Sequence, residues 1–234
     1  MHIGVLICGH LPPDVTRVHG TYTDLFGTLF AGRGWRFSTW NAVDMELPSH
    51  PQEAEAWLVS GSAHGVYDDL PFIPPLEDFL RAIHAAALPM AGICFGHQII
   101  AQALGGTVRR HPGGWRLGRQ TYRIEGLGDL SLNAWHHDQV ITPPAGARVV
   151  AANPGCPIAG LAYGDRILTV QPHPEFSDPV LSRLAQGREG APGYPPGLTG
   201  LVTTGTDTPL GSPRLADWMA DFLERAAAKA PSDD

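Results

Sequence analysis

Lysine is almost missing from this chain: Lys229 is the only one among 16 basic residues, and the remainder are arginine, which we read as compositional bias rather than a functional choice. Cysteine is scarce as well. Cys8, Cys94 and Cys156 are too few and too far apart for a disulfide framework or a thiolate metal site, a pattern that suits a reducing compartment. No apolar run is long enough to cross a bilayer. The opening residues 1–8 lack the basic start and cleavage site of a signal peptide, so a cytoplasmic location is expected, with no membrane partner. Acids outnumber bases 23 to 16, and the formal charge of -7 argues against a general nucleic-acid surface. Small-molecule chemistry is the better expectation.

What is present is an ordinary globular composition, 43% hydrophobic over 234 residues, enough for a sizeable core in one domain spanning 1–234. An apolar run at 2–8 closes on Gly9, His10 and Pro12-Pro13 and reads as a buried strand and a loop. A helix is expected over 19–31, a strand over 35–40, another over 56–60, a helix over 73–88, and a strand over 90–93 that runs into a helix through Leu104. This alternation predicts an α/β fold with an open, mainly parallel sheet and helices on both faces. From 107 to 170 the pattern changes to short strands at 119–124, 130–135, 148–152, 158–163 and 167–170, expected to form a small antiparallel extension. A helix near 179–186 follows. Residues 187–212, rich in Gly, Pro and Thr, are expected to be an exposed, mobile loop, and 213–229 a C-terminal helix with Ser212 as its N-cap and a frayed tail at 231–234.

Chemistry concentrates first at Gly92-Ile93-Cys94-Phe95-Gly96-His97-Gln98, a Gly-x-Cys-x-Gly where strand meets helix. A nucleophile on a sharp strand-to-helix turn needs strained backbone angles and close neighbours, which flanking glycines permit. The turn sets Cys94 at a helix start, where unpaired N–H groups and the helix dipole favour a thiolate. The Phe95 amide faces the same space and suits one half of an oxyanion hole. A buried cysteine acting as a small hydrophobe is the commoner case and is the expectation for Cys8 and Cys156.

The second concentration is Val170-Gln171-Pro172-His173-Pro174-Glu175-Phe176. Each proline biases its predecessor toward extended backbone, so Gln171, His173 and Glu175 should project to one side. Glu175 can then fix one imidazole nitrogen of His173 while the other takes a thiol proton. In a parallel sheet both segments end at the C-terminal edge, where ligands bind.

With these residues the chain resembles the class I glutamine amidotransferases, from the first strand to about Phe176. The resemblance implies Cys94 as nucleophile, His173 as base, Glu175 as orienting acid, and cleavage of a γ-glutamyl amide through a thioester. It implies that Ser60-Gly61-Ser62 supplies the second oxyanion donor, the Gly61 amide. It also implies substrate contacts at Gln98 and in Trp135-His136-His137-Asp138-Gln139-Val140, which resembles the family's Ser-His-Gly-Asp-x-Val loop. Trp135 and His137 depart from that pattern, standing where it has serine and glycine. The His136-His137 pair has no third ligand at a recognised spacing, so no metal is expected.

No P-loop accompanies the motif, and no cofactor is expected. The stretch from Ser60 to Asp69 is similar to stand-alone members, some of them γ-glutamyl peptidases. The first expectation is therefore hydrolysis or transfer at the γ-glutamyl amide of glutamine or a γ-glutamyl conjugate. The alternatives are an ammonia-supplying subunit of a two-chain synthetase, with that separate synthetase chain as partner, and a binding or regulatory protein that has lost its chemistry. Arg109, Arg110, Arg116, Arg119 and Arg123 are expected on a solvated strand face, with reception of an anionic substrate or acidic partner as the other reading.

Overall fold

Runs of four or five apolar residues make strands that are buried on both faces, and their side chains divide alternately between two cores. In β3 (Ala56–Val59), Ala56 and Leu58 join one core while Trp57 and Val59 join the other. The same division holds in β4 (Met90–Ile93), where Ala91 and Ile93 face opposite to Met90, and in β11 (Ile167–Val170), where Leu168 and Val170 face opposite to Ile167. Burial on both faces requires helices on both faces.

The computed structural model describes residues 1–229, so the tail expected at 231–234 lies outside the described residues. A nine-stranded sheet has the order β2-β1-β3-β4-β11-β10-β9-β6-β7. Its parallel half comprises β2 (Arg36–Trp40), β1 (His2–Leu6), β3, β4 and β11. The antiparallel half, β10 (Cys156–Tyr163), β9 (Ala147–Asn153), β6 (Arg116–Ile124) and β7 (Gly128–His136), continues the same sheet. A separate two-stranded ribbon pairs β5 (Thr107–Arg110) with β8 (Asp138–Thr142), neither of which the residue pattern had singled out.

Helices α1 (Pro13–His19), α2 (Tyr22–Leu29), α5 (Asp178–Gln186), α6 (Leu198–Thr203) and α7 (Ser212–Ala227) contribute to one core, and α3 (Ile73–Ala85) with α4 (Phe95–Ala103) to the other. Helix begins earlier than expected at 19–31: Pro13 opens α1, Gly20 breaks it at φ +83, and Thr21 with Asp24 forms a capping box that restarts the chain as α2. Residues 187–212 also differ from the expected exposed loop, because they contain α6, whose Leu198 and Val202 are buried against α5 and β6. That helix is too short for periodicity to stand out. Ser212 is the first residue of α7 rather than its cap, and its buried hydroxyl finds no partner.

Two glycines test this packing. A Cβ on Gly96 would lie 2.3 Å from the Val59 carbonyl oxygen, whereas one on Gly27, inside α2, would meet nothing within 4 Å. Gly96→Ala should destabilise the fold by about 1–3 kcal/mol through overpacking. Gly27→Ala should stabilise it by about 0.5–1 kcal/mol through helix propensity. Urea unfolding of the two variants checks the opposite signs.

Candidate active site

β4 and β11 are parallel neighbours in register, Ile93 beside Val170, so the residues that leave their C-terminal ends emerge side by side. Cys94 leaves β4 with φ 55 and ψ -104, angles an L-residue rarely adopts and that cost on the order of 1–3 kcal/mol. The flanking glycines let the elbow close. A Cβ on Gly92 would sit 2.6 Å from the Gly96 carbonyl carbon, and Gly96 itself rests against β3. The thiol is nearly buried, with Gln171 Nε2 at 3.5 Å from its sulfur and the Trp135 carbonyl at 3.9 Å.

His173 follows β11 and is held on every side. Its N–H donates to the Asn133 carbonyl at 2.8 Å, and its ring stacks on Phe176 with centroids 4.1 Å apart and planes 2° from parallel. Asn133 Nδ2 in turn donates to the Phe176 carbonyl, and Tyr22 also stacks on Phe176. Nδ1 lies 2.6 Å from Glu175 Oε1, which leaves Nε2 buried and without a hydrogen-bond partner. Burial alone would depress the pKa of this imidazole, but the negative charge of Glu175 and Cys94 outweighs it and raises the pKa. Nε2 forms no hydrogen bond with the Cys94 sulfur.

The two amides expected to form an oxyanion hole are both unoccupied by protein. Among the described residues neither the Gly61 N–H nor the Phe95 N–H finds an acceptor. Gly61 lies against the imidazole: a Cβ there would be 3.0 Å from His173 Cε1 and 2.9 Å from the Tyr22 hydroxyl.

Beside the sulfur, Cys94, Phe95, Gln98, Trp135, His137 and Asp138 line one cavity. Gln98 Nε2 donates to the Asp138 carbonyl at 2.9 Å and to Gln171 Oε1 at 3.1 Å, so the side chain of Gln98 braces the cavity floor. Asp138 Oδ1 receives both the Tyr67 hydroxyl at 2.8 Å and His137 Nδ1 at 2.7 Å. His136 and His137 diverge. The His136 ring is buried and bonded through Nδ1 to the Asp138 carbonyl, while His137 packs edge-on against Trp115. Trp115 also stacks on Tyr194, 4.8 Å away, and Tyr194 lies beside Trp135.

Several contributors were not singled out from the residue pattern: Tyr67, Trp115, Phe176, Tyr194 and, as a sulfur contact, Gln171. Only Gln171 had a signal, its alternation with His173 and Glu175. The arginines divide. Arg109, Arg110 and Arg123 are exposed as expected, but Arg119 is turned inward, its side chain 4% exposed and paired with Asp178 at 2.6 Å.

The family profile described as Glutamine amidotransferase class-I matches residues 35–180, and the chain belongs to that family. It is 28% identical over 183 residues to gamma-glutamyl peptidase 2 of Arabidopsis thaliana, covering 73% of this chain and 74% of the relative. It is 39% identical over 131 residues to the glutamine-hydrolyzing GMP synthase of a Parafrankia species, covering 51% of this chain and 23% of that protein. In fold it is similar to a glutamine amidotransferase from Thermotoga maritima, at a TM-score of 0.74 and 18% identity over 97% of this chain and 98% of the other. Among the described residues no helix is long and apolar enough to cross a membrane.

Two buried histidines near the site give a pH signature. Burial lowers His97 to about 4 and His136 to about 3, and both remain neutral when folded. The unfolded chain takes up these protons near pH 6.5 and the folded chain does not, so their contribution is present above pH 6.5 and is lost as pH falls toward 4. His173 acts oppositely: its raised pKa gives a contribution already complete below pH 6.5 and lost as pH rises. The thermal midpoint should therefore fall steadily from pH 6.5 to pH 4, and His97→Gln should flatten that slope.

Proposed function

We propose that this chain hydrolyses, or transfers, the γ-glutamyl group of glutamine or a γ-glutamyl conjugate through a thioester on Cys94. The observation that carries the reading is an imidazole tied through Nδ1 to Glu175 at 2.6 Å, with its other nitrogen unpartnered, at the end of the strand beside the Cys94 elbow. In this reading Cys94 is the nucleophile, His173 the base and Glu175 the acid that fixes its orientation. The thiol proton is already held on His173, whose pKa is raised, and the thiolate sulfur bonds to the γ-carbonyl carbon. The carbonyl oxygen gains negative charge between the Gly61 and Phe95 amides, which have no protein acceptor to compete for them. The C–N bond then breaks and the leaving nitrogen takes the proton from His173. Water returns a proton to the imidazole, its oxygen bonds to the acyl carbon, and the thiolate departs.

Gln98, Trp135, His136, His137 and Asp138 are assigned to the amino acid end of the substrate, on the strength of the cavity that they line beside the sulfur. Trp135 and His137, large where the family pattern has serine and glycine, narrow that cavity. We assign the chain one domain and a cytoplasmic location. The similarity to gamma-glutamyl peptidase 2 over three-quarters of each chain favours a peptidase-like hydrolase. A second reading, an ammonia-supplying subunit acting with a separate synthetase, is favoured by the match to GMP synthase. Turnover of γ-glutamyl peptides by the isolated chain supports the first; glutaminase activity that waits for an added synthetase supports the second.

Cys94→Ala should lower kcat by about 10⁴-fold or more with an unchanged circular dichroism spectrum. Cys8→Ala and Cys156→Ala should keep most activity, because burial pushes the Cys8 thiol far up and the Cys156 thiol up to about 12. Glu175→Gln should slow turnover less than His173→Ala does. Equal losses from all three cysteine substitutions, measured by ammonia release, would remove Cys94 from its assigned role.

A further inference from the structure

His173 borders a second cavity beside the one holding Gln98 and Asp138. The two are separated by Ser62, Ala63, Trp135 and Tyr194, which line both. On the His173 side Leu11, Pro12, Phe176 and Leu184 form an apolar wall beside the polar groups of His10, Tyr22 and Ser62. Arg188, at the start of the segment joining α5 to α6, also lines it. Arg188 is half-buried as a residue, and among the described residues its guanidinium makes no ion pair and no side-chain hydrogen bond. The other basic side chain there, His10, is already paired with Asp44 at 2.8 Å.

Reaction geometry decides which half of the substrate each cavity holds. A proton can reach the departing nitrogen only from a donor within hydrogen-bond reach of it, so the leaving group must lie on the His173 side and the glutamyl end on the Gln98 side. Ammonia would use none of the second cavity. An amine with an apolar body and a carboxylate would use both its apolar wall and Arg188, because a guanidinium without an acidic partner is a ready carboxylate receptor.

Resting on the proposed γ-glutamyl chemistry, we propose that Arg188 is a specificity-determining residue that receives the carboxylate of the leaving amino acid. The favoured substrate class is then γ-glutamyl dipeptides whose second residue is apolar and ends in a free carboxylate. Leu11, Leu184 and Trp135 receive the apolar side chain, and Tyr194 closes over it from the same segment that carries Arg188.

The test compares kcat/KM of the full chain on γ-glutamyl-leucine and on γ-glutamyl-leucinamide, which differ only in the charge of the leaving group's end. The native chain should prefer the carboxylate by about tenfold or more, the scale of a charge-assisted hydrogen bond. Arg188→Ala should bring the ratio close to one, Arg188→Lys should restore part of it, and Arg188→Glu should invert it. A merely structural role would lower both rates together and leave the ratio unchanged, which would overturn the proposal. A native chain that hydrolyses glutamine but treats both dipeptides alike overturns this inference alone; one that cleaves no γ-glutamyl compound overturns it together with the reading beneath it.

Discussion

The backbone hydrogen bond from the Cys94 N–H to the Val170 carbonyl, 2.9 Å long, is the constraint on which the site depends. It carries the β4–β11 pairing one residue past the end of β4, so the elbow is pinned to the strand that delivers His173. Parallel pairing in register then makes distant residues neighbours: Ile93 beside Val170 places Cys94 and Gln171 in contact, with Gln171 Nε2 reaching the sulfur. Chain direction does the rest, because parallel strands release their C-terminal residues at the same edge. A slip of one residue would turn the side chains of β11 to the opposite core and withdraw the imidazole.

Polar groups buried around this edge are expensive unless paired, and most of them are. Gln98 links Gln171 to the Asp138 carbonyl, Asn133 ties β7 to the segment after β11, and Asp138 gathers Tyr67 and His137. Against that background some atoms remain unsatisfied: His173 Nε2, the second oxygen of Glu175, Asn133 Oδ1 and His136 Nε2, together with the Gly61 and Phe95 amides, which have no acceptor among the described residues. Of these, Gly61 lies directly against the His173 imidazole, where a Cβ would be 3.0 Å from Cε1. Unmet bonding capacity within a well-satisfied shell is what a preorganised site requires, since its partners arrive with the substrate.

Much of this was legible in the residues because local physics left marks there. Glycines at 92 and 96 announce close backbone approach, realised in the Gly92–Gly96 contact. Prolines at 172 and 174 announce an extended segment, but the chain instead turns at Pro174 and Glu175, closed by the Phe176 N–H on the His173 carbonyl, and that turn brings Glu175 to Nδ1. Other features leave no local mark. Whether the antiparallel strands extend the main sheet or form their own depends on partners far along the chain, and here four of nine strands belong to that half. Tyr194 and Arg188 lie in a stretch rich in Gly and Pro, where periodicity is silent, and only the packing of α6 through Leu198 and Val202 brings that stretch over the site. Arg119 illustrates the same limit: the arginines at 109, 110 and 123 are exposed, but one guanidinium nitrogen of Arg119 contacts both carboxylate oxygens of Asp178 from another element, which draws it inward.

The central claim is that an acyl group passes through the sulfur of Cys94. Acid quenching during turnover of a γ-glutamyl substrate, followed by mass spectrometry of proteolytic peptides, reads that intermediate directly. The account predicts a peptide containing Cys94 that has gained one γ-glutamyl group in a form that hydroxylamine removes. Sustained turnover with the adduct on another residue, or with none trapped even when a slow substrate makes deacylation limiting, would contradict it.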